Sequence, residues 1–221
     1  MRRGLFAREP PSSVEAVSRF DEKAATWDAD PAKVERARAV ADCIVATLTL
    51  DRTERLLEYG AGTGLVTQAL RDAVGPVTLA DTSAGMRDVM HEKIAAGALV
   101  DARVWALDLA TEPPPDEQFD LIVTVMTLHH IPDLAPVLTG FAQLLAPGGH
   151  VCIADLEKED GSFHGADFAG HQGFERAALT DSLTRAGFTQ VAFADCTTMI
   201  RDGVAYPVFL ATARFEGQSP T

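Results

Sequence analysis

The chain has 221 residues, 47% of them hydrophobic and 23% charged, an ordinary globular composition with enough length to bury a real core. Thirty-two acidic side chains against nineteen Lys plus Arg give a formal charge of −13. That balance opposes nucleic acid as a partner, because a phosphate backbone calls for net basic surface, and it favours a small molecule, a cationic one above all.

No apolar run reaches the ~18 residues of a membrane span. The start, MRRGLFAREPP, carries too short an apolar stretch for a signal peptide. A cytoplasmic protein without a membrane partner is therefore expected. Cys43, Cys152 and Cys196 form no CxxC pair and read as buried thiols.

Residues 1–50 read as a helical arm. Its first helix opens on a capping box, Ser12 with Glu15, and carries Val14, Val17, Phe20, Ala24 and Trp27 at near-helical spacing. Asp30-Pro31 then reads as N-cap and first position of a second helix with Ala37, Val40, Ala41, Ile44 and Leu48 inward. From residue 51 to 215 the rhythm becomes strand, helix, strand. Strands are expected over 55–59, 77–80, 102–107 and 119–125, with helices over 65–74 and 84–96 between them. Asp133 caps a further helix, stopped by Pro147-Gly148-Gly149. A strand follows at 150–154, then a polar loop at 156–173, a helix to Ala186, and strands at 190–196 and 206–215. Residues 216–221 read as a disordered tail. The alternation implies a parallel sheet with helices on both faces. The last two strands have no helix between them, so the final one must run antiparallel.

Glu58-Tyr59-Gly60-Ala61-Gly62-Thr63-Gly64 lies between a strand and a helix, where open α/β sheets bind ligands. The spacing is G-x-G-x-G with Leu65 at the sixth place, so the dinucleotide fingerprint G-x-G-x-x-G is not met. No Gly-Lys-Ser/Thr follows either. The loop suits a nucleoside without phosphates. Asp81 at the end of the second strand can accept from both hydroxyls of a ribose. Asp108, at the expected end of the third, can meet an adenine amino group with its carboxylate or the neighbouring amide. Taken singly, each Asp also fits a turn or cap.

These residues resemble the class I S-adenosylmethionine-dependent methyltransferases. LLEYGAGTGLVT, LADTSAGM and ALDLATEPPP look like their first three motifs, and FDLIVTVMTLHHIPD with LLAPGGHVCIAD looks like the fourth strand through the fifth. Phe20 to Asp28, FDEKAATWD, resembles the N-terminal arm of the ubiquinone/menaquinone-biosynthesis and related small-molecule enzymes. The resemblance implies a Rossmann-like, doubly wound, seven-stranded mixed sheet of order 3-2-1-4-5-7-6 and transfer of a methyl group from S-adenosylmethionine (SAM) to a small-molecule acceptor. S-adenosylhomocysteine is the product it implies. By the same resemblance Gly60, Ala61, Gly62 and Gly64 line the methionine and ribose portion, and Glu58 orients the loop. Asp81 and Thr82 meet the ribose, Met86 the adenine face, Asp108 and Leu109 the adenine edge, and Thr124 and Val125 the underside of the methionine. Trp27 is the aromatic that covers the cofactor, unless it faces the core.

Proton acceptors near the methyl are His129 and His130 after the fourth strand, with His129 the better candidate for facing inward, then Asp155 and His164. Phe163, His171 and Phe174 are candidates for the acceptor pocket, while Glu157 and Lys158 read as a solvated charge run. The spacings among His129, His130, Asp155, His164 and His171 match no standard ligand pattern, so no metal is assigned. Thr127-Leu128-His129-His130 stands where DNA and glutamine amino methyltransferases carry Asn/Asp-Pro-Pro-Tyr/Phe, and Pro113–Pro115 lie before the strand. The alternatives are a nicotinamide-dependent oxidoreductase, or a SAM-binding module without catalysis. Residues 1–50 and 156–173, both extra to the sheet, are expected to close together as a lid.

Overall fold

The computed structural model describes residues 20–165 and 168–217; the expected capping box at Ser12 and Glu15 lies outside them. A helical turn at 20–24 and a 3-10 turn, Trp27–Ala29, lead into helix α1, Pro31–Thr47. Asp30 caps α1 by accepting from the Ala32 amide at 3.0 Å. Its face of Ala37, Val40, Ala41 and Ile44 is buried in the same core as Leu56, Val77 and Leu79. Leu48 caps the helix instead of continuing it.

Seven strands follow in the order β3-β2-β1-β4-β5-β7-β6. They are β1 Leu56–Tyr59, β2 Val77–Ala80, β3 Ala102–Trp105, β4 Phe119–Val125, β5 Leu145–Leu156, β6 Phe188–Arg201 and β7 Val204–Phe215. Helices α2 Leu65–Leu70, α3 Ala84–Ala95, α4 Ala135–Leu144 and α5 Arg176–Arg185 complete the alternation. The β1, β2, β4 and β5 ladders are parallel, and β7 runs antiparallel to both β5 and β6. The last strand of the chain is therefore inserted one place in from the edge. Strands β1, β2 and β4 are buried on both faces, with apolar runs to match. One core layer is built on Phe119, Phe141 and Phe209, each worth about 2–3 kcal/mol of burial. No helix among the described residues is long and apolar enough to cross a membrane.

Several boundaries differ from expectation, each for a local reason. Helix α2 ends at Leu70 and passes into a turn. Pro147-Gly148-Gly149 does not precede β5 but lies within it, as a bulge opposite Phe119 and Leu121. A Cβ on Gly149 would stand 2.9 Å from the Ala146 carbonyl oxygen, so glycine permits the close approach there. Strands β6 and β7 are longer than expected. They meet in a two-residue turn at Asp202-Gly203, both with positive φ, the geometry Asp-Gly favours in hairpins. Strand β3 stops at Trp105, so Asp108 lies three residues past its end, in a turn. Asp155 is still within β5. In the tail, Glu216 pairs with Arg214 at 3.5 Å, and residues 218–221 lie outside the described residues.

Candidate active site

The glycine loop is held open by its backbone. Gly60, Gly62 and Gly64 have φ of +70°, +56° and +79°, the left-handed region where a Cβ is penalised. Gly60 has a second reason: a Cβ there would lie 2.3 Å from Thr127 Cγ2. Thr127 in turn donates to the Gly60 carbonyl at 3.3 Å, so the loop after β1 and the loop after β4 interlock. Ala61 is buried, and its amide donates to the Ala80 carbonyl at 3.0 Å. Gly64, the N-cap of α2, offers no side-chain cap. Glu58 supplies one from the preceding strand, accepting from the Thr67 amide at 3.0 Å and the Thr67 hydroxyl at 2.5 Å. Burial raises the Glu58 carboxyl to about 7, outweighing these bonds.

Asp81 latches the loop. One carboxylate oxygen accepts from the Gly62 amide at 2.7 Å and the other from the Ser83 amide at 2.8 Å. Burial holds its pKa above the ordinary carboxylate value. Thr82 is exposed, and Met86 is buried beneath the first turn of α3. Asp108 folds onto its own turn, accepting from the Ala110 amide and the Thr111 hydroxyl, both at 3.0 Å. The Leu109 side chain is buried against Gly140, and its amide donates to the Tyr59 hydroxyl at 3.2 Å. Both therefore have structural partners at the place where an adenine edge was expected.

The arm is fastened across this edge by two acids that the sequence reading did not single out. Asp21 accepts from Ser83 Oγ at 2.5 Å and from the Gly85 amide at 2.9 Å, at the start of α3. Asp28 accepts from Thr63 Oγ1 at 2.5 Å and pairs with Lys93 at 2.5 Å. Both lie within the FDEKAATWD segment, which was the signal for them. Trp27 is half-buried and does not face the core. Its Nε1 stands 4.0 Å from where a Cβ on Gly62 would be, and Lys33 Nζ lies 4.0 Å from its ring.

At the end of β4, Thr124 Oγ1 is buried with no hydrogen-bond partner among the described residues, and Val125 is half-buried. Met126 then takes φ +54°, a strained conformation for a side-chain-bearing residue and one that clusters at functional sites. His129 is 1% exposed and Asp155 not at all. Asp155 Oδ1 lies 2.6 Å from His129 Nδ1, and its two oxygens also accept from the His129 and Leu156 amides. With two backbone amides donating into it, the carboxylate is the acceptor. In the tautomer that matches this arrangement Nδ1–H donates to the carboxylate and Nε2 is the ring nitrogen without a hydrogen.

Of the other candidates, the rings of His130 and His164 come to this pair; the His171 ring does not, although its amide donates to the His129 carbonyl at 2.7 Å. The rings of His129 and His130 are 4.1 Å apart, those of His129 and His164 5.0 Å, and Phe168 stacks on His164 at 3.9 Å. Phe20 of the arm meets His130 edge-on at 5.4 Å. His171 turns to Phe174 and to a groove of about 400 Å³ between Pro132 and Ala186. Phe163 and Phe174 are buried in the core, and their rings meet those of His164 and His171 at 4.7 and 5.1 Å. Glu157 is no solvated charge: Arg176 donates to it at 2.8 Å from Nε and 2.5 Å from Nη2.

A family model described as a methyltransferase domain matches residues 32–192. An uncharacterized methyltransferase of Geobacillus kaustophilus is 32% identical over 153 residues, 67% of this chain and 68% of its own. The ubiquinone biosynthesis O-methyltransferase of Xylella fastidiosa is 32% identical over 112 residues, covering 49% of this chain and 44% of that enzyme. The chain spans less than half the length of several curated relatives it matches, from 30% to 47%. Among solved structures, Haemonchus contortus phosphoethanolamine N-methyltransferase 2, in complex with S-adenosyl-L-methionine, superposes with a TM-score of 0.67 at 14% identity, over 80% of this chain and 52% of that one. The matched domain, the sheet order and the glycine loop agree: the chain belongs to the methyltransferase-domain family, within the class I S-adenosylmethionine-dependent methyltransferases.

Proposed function

We propose that the protein transfers a methyl group from SAM to a small-molecule acceptor bound over the end of β4. The observation that carries this reading is the positive-φ glycine loop, tied by Asp81 to the Gly62 amide and adjoining the Asp155–His129 pair. The residues present fit the cofactor. A Cβ at Gly62 would fill the space under Trp27, and Thr124 Oγ1 is a buried polar atom with no partner among the described residues. Each Asp81 oxygen has a lone pair beyond the one given to the backbone, enough for a ribose diol.

SAM, when bound, supplies an electrophilic methyl on a sulfonium. Gly60 to Gly64 admit its methionine and ribose portion, Asp81 takes the diol, and Thr124 and Val125 floor the site. Met86, Asp108 and Leu109 border the adenine. Trp27 and Phe20 exclude water from the arm side. The excess of acid in the chain favours a cationic ligand. His129 takes the proton that an O–H, N–H or S–H acceptor must lose, at the Nε2 that Asp155 keeps unprotonated. The balance is acceptor X–H plus SAM giving X–CH3, S-adenosylhomocysteine and a proton, which leaves the imidazole for solvent. Positioning supplies much of the rate in such an in-line displacement.

Calorimetry with SAM and S-adenosylhomocysteine tests the cofactor site. Both should bind, and Asp81→Ala should weaken both at least tenfold; unchanged affinity would remove the ribose assignment. Transfer of labelled methyl to fractionated metabolites tests the reaction and identifies the acceptor by mass. His129→Gln should lower kcat about 10²-fold with SAM affinity unchanged.

A further inference from the structure

We propose that His129, His130 and His164 form a binding site for a divalent transition-metal ion of the zinc class, with Asp155 as its outer support. One nitrogen from each imidazole lies within 4.8 Å of the others, the only such group among the described residues. They come from the turn after β4 and from the loop after β5. Their sequence separation therefore matches no ligand motif, although the fold brings them together. Three neutral imidazoles with one coordination position left is the donor set of catalytic zinc.

The surroundings complete the arrangement. A metal-bound histidine characteristically donates its other ring N–H to a carboxylate, which fixes the ring and raises its basicity. His129 already does this through Nδ1, 2.6 Å from a fully buried Asp155. That leaves Nε2 as its ligating nitrogen. Phe168, stacked on His164, and Phe20, edge-on to His130, put apolar walls round the cluster. Two nitrogens on a tetrahedral zinc stand about 3.3 Å apart, from Zn–N bonds of about 2.0–2.1 Å. His129 is anchored, so closure from 4.8 Å requires side-chain rotation of the half-buried His130 and His164.

The open position takes an anionic oxygen or sulfur. On coordination an acceptor hydroxyl or thiol gives its proton to water and stays as the anion, poised for methylation. The ion thus occupies the Nε2 that otherwise accepts the proton, and the two states exclude each other at His129. The site shares His129 with the one proposed for methyl transfer, but binding of the ion does not depend on transfer taking place.

The test uses the full chain stripped with a chelator, its fold checked by circular dichroism, and titrated with Zn2+ by calorimetry and with Co2+ by visible absorption. One ion per chain with a Kd of about 1 µM or tighter is expected, with the intense cobalt bands of a four-coordinate site. His130→Ala and His164→Ala should each weaken binding at least tenfold, and Asp155→Asn about 10- to 100-fold. His91→Ala, exposed on α3, should change nothing. His164 sits half-buried on a loop, so its variant keeps the fold, and unchanged SAM binding by that variant separates this site from the cofactor site. Zinc binding that is absent, or equal in the His130→Ala and His164→Ala proteins, overturns the proposal.

Discussion

Glu58 gives the fold a pH dependence that one substitution should remove. The carboxyl is 3% exposed, and burial lifts its pKa from 4.5 to about 7 despite two bonds from Thr67. A carboxyl whose folded pKa lies above its unfolded one binds its proton more tightly in the folded state. Its contribution to stability is complete below about pH 4.5 and is lost as pH rises through 7. The gap between 4.5 and about 7 corresponds to about 3 kcal/mol. For a chain of this size that is roughly 6–12 °C in melting temperature. Glu58→Gln keeps an acceptor for the Thr67 donors but cannot titrate. Urea or thermal unfolding of both proteins from pH 5 to 9 checks this. The variant should be the less stable at pH 5, where its buried amide hydrogens lack acceptors. The gap should then narrow by about 3 kcal/mol as pH rises. Subtracting the variant cancels the many other carboxylates. Parallel stability curves would show that Glu58 stays ionised throughout, and the account of its burial would fail.

Gly60→Ala should cost about 3 kcal/mol or more, combining a φ of +70° with a 2.3 Å clash against Thr127. Adding Thr127→Gly should recover only the steric part, read as a partial return of the melting temperature. Asp28→Ala removes the bonds to Thr63 and Lys93. It should loosen the arm by about 1–2 kcal/mol, speed protease cleavage near residues 20–30 and weaken SAM binding several-fold. SAM should slow cleavage in both the arm and the 156–173 loop of the native protein, and equal cleavage with and without it would count against joint closure.

The sheet was legible because its signals are local. β2 and β4 are short apolar runs between turn residues, and their observed ends, Val77–Ala80 and Phe119–Val125, match expectation. Boundaries slipped where a tertiary partner overrode a local stop. Pro147-Gly148-Gly149 reads as a breaker, yet pairing with β4 carries the strand through it. Asp202-Gly203 is a local hairpin signal too, and it fixes the Arg201–Val204 pairing that lengthens β6 and β7. Asp108 was placed on a strand end that falls at Trp105. The glycine loop and Asp81 were legible from order and spacing. The histidine cluster was not, because its convergence depends on a loop 34 residues past His130 folding back over β4. Asp21 and Asp28 carry their meaning only through Ser83, Thr63 and Lys93, more than 30 residues on.

The Asp155–His129 pair decides between a structural and a chemical account of the site. Burying a carboxylate beside an imidazole is a poor way to gain stability, since desolvation consumes most of the attraction. Asp155 does have a structural task, accepting from the His129 and Leu156 amides, and an asparagine oxygen can keep part of it. What asparagine cannot do is keep Nδ1 protonated. Its NH2 would donate to Nδ1, move the imidazole proton to Nε2 and abolish the base. The same amide swap in a carboxylate–imidazole–nucleophile triad costs about 10⁴ in rate. Asp155→Asn should therefore melt within about 2 kcal/mol of the parent, bind SAM unchanged and lose at least about 10²-fold in methyl transfer. A purely structural pair predicts the reverse, a large loss of stability with transfer per folded molecule intact. Measuring folded fraction, SAM affinity and single-turnover transfer on the same preparation distinguishes the two.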